Sequence, residues 1–340
     1  MCGPWCEGRA FAGGGSAPGL NRRSVLGAVA AGAAAFALRP FVAVAAEDAV
    51  AGDAIAPLPV QEVAPGLFVY QAPYELADAR NEGAVANVGF IIGREAVAVF
   101  DTGNSRLAGR RLRAAVRDKT PLPIRFVIFT HMHPDHVLGA AAFAEDKPEI
   151  VASTKLPRAL AARAETYLEA GARAIGPAFG GTVAVEPTRV VDGSDAIDLG
   201  GRRLTLTTYP TAHTDNDLSL FDTETGTLVL GDLLFLGHVP SIDGSTLGWL
   251  AVLDTIAART DVRRVVPGHG PAVVDFPAGL GPERTYLERL VADDRALLKA
   301  GGDIAEAPER AGVSERGKWA LFDEFNPRNA ITTFHELEWE

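Results

Sequence analysis

Four of the six residues from His131 to His136 are of types that bind metal ions, within Thr130-His131-Met132-His133-Pro134-Asp135-His136-Val137-Leu138-Gly139. The chain has only seven histidines in 340 residues, so three in one short stretch is its least random feature. His131 and His133 are two apart; on an extended backbone they project to one side and can share an ion. Asp135 and His136 lie beyond a proline that turns the chain, so they face a slightly different point, which suits a second ion close to the first. Imidazole nitrogen and carboxylate oxygen without thiolate suit zinc best, with iron or manganese tolerated. Four ligands are too few for two ions, so the rest of the chain is expected to supply more.

The elements that position these residues are legible as strands. Ile124-Arg125-Phe126-Val127-Ile128-Phe129 is β-branched and aromatic with a proline before it, and it leads straight into the histidines. The missing ligands are expected at the ends of other apolar runs. His213 follows the run Arg203 to Tyr209, Asp232 closes Thr227-Leu228-Val229-Leu230-Gly231-Asp232, and His269 sits between two glycines after Val265-Val266-Pro267. A strand-end Asp or a Gly-His-Gly means little alone; three apolar strands each ending on a ligand type mean more.

Other strands are expected at Gly66 to Tyr70, Val85 to Ile92, Ala96 to Phe100, Arg189 to Val191, Ala196 to Leu199 and Leu218 to Phe221, with Arg264 to Val266 as the strand before His269. Helices are expected at Ser105 to Asp118, Val137 to Phe143, Thr154 to Ala170, Gly248 to Ala258 and Pro282 to Lys299. Strands mixed with helices point to two sheets packed face to face with helices outside.

Composition narrows the function classes. The apolar content of 47% allows a sizeable core, and the formal net charge of −11 argues against nucleic acid and anionic membrane surfaces as partners. Residues 1–46 read as a twin-arginine signal peptide: Arg22-Arg23, an Ala-rich apolar run from Val25 to Leu38, then Ala43-Val44-Ala45-Ala46 of the cleavage type. The run is too short and too rich in Ala and Gly for a membrane span. Cleavage would remove both cysteines, Cys2 and Cys6, leaving neither disulfide nor thiol ligand. It would also remove four arginines and one glutamate from residues 1–45, taking the charge from −11 to −14. Export places the mature chain in the periplasm, and residues 47–59 read as a flexible lead-in.

The cluster His131-x-His133-x-Asp135-His136, followed by His213, Asp232 and His269, resembles the metallo-β-lactamase superfamily over about residues 60–275. That resemblance implies an α+β fold, the αββα sandwich of two mixed β-sheets flanked by helices. The domain would run from 60 to 280, with 281–340 a helical and aromatic cap on it. Carried over, His131, His133 and His213 hold one zinc, Asp135, His136 and His269 a second, and Asp232 bridges them. Two such ions share a water and lower its pKa, giving a bridging hydroxide that attacks an ester, thioester or amide. Asp135 and Asp232 are the catalytic candidates, with Asp135 able to orient the nucleophile or accept its proton. Asp101, closing the run Ala96 to Phe100, is expected to hold the metal loop from behind by hydrogen bonds.

Asn81 to Phe90, Thr130 to Ala140, Pro210 to Leu218, Gly231 to Phe235 and Phe322-Asp323-Glu324-Phe325-Asn326-Pro327-Arg328-Asn329 are similar to the quinoprotein relay system zinc metallohydrolases. These are exported, SoxH-like proteins associated with pyrroloquinoline-quinone-dependent dehydrogenases and c-type cytochromes, so such a system is the partner this resemblance implies beside a small-molecule substrate. His238 departs from that pattern, where a charged non-histidine residue is expected; six residues after Asp232, it reads as a proton shuttle, a substrate contact or, in preference to both, a solvated loop histidine, and His335 is assigned no role. Two other readings keep the ligands. One is a mononuclear iron sulfur dioxygenase. The other is a non-catalytic periplasmic accessory that binds a quinone cofactor or a dehydrogenase.

Overall fold

The structure is a computed structural model and describes residues 55–340. The signal peptide read over residues 1–46, and residues 47–54 of the lead-in, lie outside the described residues. Within the rest of the lead-in, Leu58 is buried and its N–H donates to the Arg111 carbonyl at 3.1 Å.

Thirteen strands are described, in two sheets. The first holds β1 (Val60–Ala64), β2 (Leu67–Tyr70), β3 (Val88–Ile92), β4 (Val97–Phe100), β5 (Ile124–Ile128), β6 (Glu149–Ser153) and β7 (Arg189–Val191) in sequence order. The second holds β8 (Ser194–Asp198), β9 (Arg203–Thr208), β10 (Leu218–Asp222), β11 (Thr227–Phe235), β12 (Arg264–His269) and β13 (Val274–Asp275), each beside the next. Pairing is antiparallel from β1 to β4 and parallel from β4 to β7; in the second sheet only β11 and β12 run parallel. Both sheets are therefore mixed. The helices are α1 (Arg106–Lys119), α2 (Pro134–Val137), α3 (Leu156–Ile175), α4 (Thr246–Ala257), α5 (Gly281–Lys299), α6 (Ala307–Arg310) and α7 (Phe322–Leu337).

Strands β4, β10 and β11 are buried along their whole length, as strands of a sheet covered on both faces are; β4 is wholly apolar, while β10 carries Ser219 and Asp222 and β11 carries Asp232. One core contains Val69, Ile91, Phe100 and Ile128 of the first sheet with Leu206, Leu220, Val229 and Val266 of the second. A second core packs β11 against α4, α5 and α7 through Phe235, Trp249, Tyr286, Leu290 and Phe325.

Several boundaries differ from the sequence reading for physical reasons. Helix α1 starts after Ser105, whose side chain caps Ala108 N–H, and ends at Lys119, with Thr120 as an extended C-cap just before Pro121. The helix expected over Val137 to Phe143 begins earlier, with Pro134 in the first-turn position that suits proline, and gives way to a 3₁₀ segment at Ala140–Asp146. His131 and His133 stand in a bend, not on a strand. Asp232 does not end its strand, because β11 continues to Phe235 with its register broken around Gly231. Strands β1, β6 and β13 were not anticipated; β1 has one buried residue, Ala64, and β13 is only two residues long.

Candidate metal centre

Each sheet delivers its ligands at one edge. In the first, β4 leads directly into Asp101 and β5 into the bend carrying His131 and His133, followed by α2 with Asp135 and His136. In the second, His213 lies between β9 and β10, Asp232 in the irregular part of β11, and His269 on the last residue of β12. The Leu218 N–H donates to the Thr130 carbonyl at 2.7 Å, which ties the two sets together. Gly268 has a specific reason to lack a side chain: a Cβ there would collide with Asp232 Oδ1 and the Gly231 backbone.

The seven expected ligands meet in two groups, and all are buried. His131, His133, His213 and Asp232 form one, and Asp135, His136 and His269 the other, with ligand atoms in each group within 4.8 Å of one another. Asp232 faces both. Its Oδ2 is 3.6 Å from His131 Nε2 and 3.4 Å from His213 Nε2, while its Oδ1 is 3.1 Å from His136 Nε2 and 3.5 Å from His269 Nε2. Asp135 Oδ2 lies 3.3 Å from His269 Nε2.

Hydrogen bonds behind the ligands fix which ring nitrogen is left for a metal. Asp101 accepts from Thr130 N–H at 2.9 Å, from Thr130 Oγ1 at 2.8 Å and from His136 Nδ1 at 2.8 Å. The Thr130 hydroxyl donates to Asp101, so it must accept from His131 Nδ1, 3.0 Å away. His213 Nδ1 donates to the Ser241 carbonyl at 2.7 Å, and His133 Nε2 donates to Asp243 Oδ2 at 3.0 Å. The lone pairs left over are Nε2 of His131, His136 and His213 and Nδ1 of His133. His213 Nε2 and His133 Nδ1 face each other at 3.0 Å. Two acceptors so placed repel unless a cation lies between them; nitrogens about 2.1 Å from one tetrahedral zinc are separated by about 3.4 Å. The buried Nε2 of His131 and His136 and Oδ1 of Asp232 make no properly aligned hydrogen bond. The residues present fit a pair of metal ions.

Electrostatics agree. Burial holds His131 well below the usual imidazole range and brings His213 down to about 3, so both stay neutral. For His269 burial acts the same way, but the carboxylates of Asp232 and Asp135 outweigh it and raise the group to about 9. A proton therefore competes with a metal for that nitrogen.

Asp101 is buried, has left-handed backbone with φ 53°, and is bonded to Thr130, the neighbour of His131, and to the candidate ligand His136 itself. Asp243 was missed; it stands behind His133 as Asp101 stands behind His136. Asn329, the last residue of the Phe322-to-Asn329 motif, has a specific place here. Its side chain accepts from Ile242 N–H at 2.9 Å and donates to the Pro240 carbonyl at 2.6 Å, bracketing Ser241, the acceptor for His213. Asn87, in another quoted motif, donates to the Pro267 carbonyl at 2.9 Å and secures the end of β12. His238 is a correction: it is 1% exposed, not a solvated loop residue. Its Nδ1 donates to the Val239 carbonyl, its Nε2 is buried without a hydrogen bond, and its ring centroid lies 5.0 Å from that of His269. His335 is exposed and pairs with Glu338.

Residues 82–269, which carry all seven ligands, match the family model of the metallo-beta-lactamase superfamily. The chain belongs to this superfamily. Among curated proteins, this superfamily member is similar to the acyl-coenzyme A thioesterase MBLAC2 of Bos taurus, 27% identical over 213 residues that cover 55% of this chain and 74% of the relative. Among solved structures it resembles TMB-1, with TM-score 0.53, 20% identity, and 69% of this chain and 98% of that one covered. It also resembles the stereoselective inverting sec-alkylsulfatase Pisa1 from Pseudomonas sp., with TM-score 0.62, 15% identity, and 83% and 50% covered. At these identities the structural matches show the fold. The superfamily and the relative agree with a metal-dependent hydrolase.

Proposed function

We propose that the chain is an exported dinuclear zinc hydrolase that cleaves an ester, thioester or amide bond. The observation that carries this reading is the double-facing Asp232 carboxylate, with Oδ2 toward one ligand group and Oδ1 toward the other. One ion would be held by His131, His133 and His213, the second by Asp135, His136 and His269, and Asp232 would serve both. When bound, a zinc pair supplies Lewis acidity and a water acidic enough to act as a nucleophile near neutral pH.

The chain's own residues set up that chemistry. Asp135 is placed to orient a water and take its proton. Asp101, Thr130, Asp243 and the Ser241 carbonyl lock the histidine tautomers, and such supporting groups typically set affinity or activity by about 10–100-fold. Among the candidate bonds, a thioester is favoured by similarity to the acyl-coenzyme A thioesterase. A mononuclear iron centre, as in a sulfur dioxygenase, would leave part of this ligand set without a metal role. A binding accessory for a quinone or a dehydrogenase would not need a carboxylate facing two groups.

The twin-arginine pattern at Arg22-Arg23 supports a periplasmic location, and the motifs from Asn81 to Asn329 support work beside a quinoprotein dehydrogenase and c-type cytochromes. No helix among the described residues is long and apolar enough to cross a membrane. The test is metal analysis of the purified protein with a panel of ester, thioester and β-lactam substrates. About two zinc per chain with turnover of one of these classes supports the reading; about one iron per chain with oxygen consumption on persulfides overturns it.

A further inference from the structure

Beyond the ligands, Asp243 joins two cations to the metal centre. Its Oδ2 accepts hydrogen bonds from His133 Nε2–H and from Arg163 of α3, and its Oδ1 accepts from Arg328 of α7 at 3.1 Å. One carboxylate would be enough to orient His133. Instead two guanidinium groups from distant parts of the chain converge on one acid, leaving a surplus positive charge beside a site that would itself hold cations. This happens in a chain whose net charge is −11.

Exposure separates the three side chains. Asp243 is 10% exposed, whereas Arg163 and Arg328 are each 37% exposed, so the acid is enclosed and the cations present an open face to solvent. Arg328 makes only the Asp243 hydrogen bond among the described residues, which leaves most of its planar fork of donors available. A guanidinium fork matches the spacing of oxygens on carboxylate, sulfate or phosphate.

We propose that Arg163 and Arg328 form an oxyanion subsite at the rim of the metal centre, which selects ester or thioester substrates carrying a separate anionic group. The inference rests on the hydrolase reading for the bond cleaved, but the subsite itself does not require turnover. Asp243 has two parts to play: it holds the His133 tautomer with Oδ2 and fixes the two arginines, so that an anion meets donors already in place.

The test uses zinc-loaded mature protein and two matched esters, 4-nitrophenyl hydrogen glutarate and neutral 4-nitrophenyl valerate. The parent is expected to favour the anionic ester in kcat/KM, mainly through KM. Arg328→Gln is expected to lower the ratio of anionic to neutral kcat/KM about tenfold, with Arg328→Lys restoring part of it. Arg328 is the better choice because it contacts Oδ1, away from the His133 bond. A calorimetric titration with pentanesulfonate, which cannot be hydrolysed, gives the second readout, repeated with pentyl phosphate and hexanoate to rank the oxyanions. Binding in the parent that weakens about tenfold in Arg328→Gln at equal zinc content supports the subsite, even if neither ester is cleaved and the hydrolase reading fails. An unchanged ester ratio, or parent and variant that bind pentanesulfonate equally or not at all, overturns it.

Discussion

His133 Nδ1 and His213 Nε2 stand 3.0 Å apart, lone pair toward lone pair, because the other nitrogen of each ring already donates to Asp243 or to the Ser241 carbonyl. Such an arrangement is unfavourable without a cation and well suited to one. It makes the groups behind the candidate ligands as informative as the ligands.

Asp101→Asn should weaken metal retention while keeping the fold. Asparagine tolerates the left-handed backbone that Asp101 adopts, but its amide cannot accept from His136, Thr130 N–H and Thr130 Oγ1 as a carboxylate does. Chelator competition should show a loss of about 10–100-fold in zinc affinity. Equal affinity would reduce Asp101 to a turn residue.

Asn329→Ala should destabilise the chain by about 1–3 kcal/mol, because it leaves the buried Ile242 N–H and Pro240 carbonyl without their partner. The loss should be larger for the zinc-loaded than for the metal-stripped protein, since the freed loop carries the acceptors for His213 and His133. Chemical denaturation with and without zinc measures both. An identical loss in the two states would confine Asn329 to packing.

The same residues show how far the sequence could be read. The seven candidate ligands and Asp101 stood out because the cluster from His131 to His136, and then His213, Asp232, His269 and Asp101, come at or shortly after the ends of apolar runs in a chain with few histidines. Asp243 was not, since it lies in an irregular loop, Ser241-Ile242-Asp243-Gly244, where nothing in the spacing distinguishes it from a turn acid. His238 was misread for a related reason. A histidine six residues past a strand acid looks exposed, but β11 runs on to Phe235, and the chain beyond it pairs with Ala320 and is buried. Long-range pairing of this kind leaves no periodic trace.

Gly268→Ala should disturb the metal pair more than the fold around it. The added methyl would meet Asp232 Oδ1, the oxygen that faces His136 and His269, and the Gly231–Asp232 backbone that carries it. Zinc content is expected to fall from about two per chain toward one, with a circular dichroism spectrum like the parent's. A variant that keeps two zinc would show that Asp232 can shift without losing the second ion.

Asp294 tests the cap. It is fully buried, neither carboxylate oxygen has a hydrogen-bond partner, and burial, with Asp293 nearby, pushes it up to about 7. Its folded value lies above the unfolded one of about 3.9, so the stability tied to its protonated form is full at low pH and is lost as pH rises through 7. Asp294→Asn removes this dependence. The melting temperature of the variant relative to the parent should therefore increase between pH 5 and pH 8. A pH-independent difference would contradict it.

The central claim, a pair of zinc ions sharing Asp232, is tested most directly by metal content per chain in the parent and in Asp232→Ala, measured by elemental analysis after purification in the presence of zinc. The account predicts about two zinc in the parent and about one in the variant, retained by His131, His133 and His213. About one iron per parent chain, or two zinc that survive loss of Asp232, would contradict it.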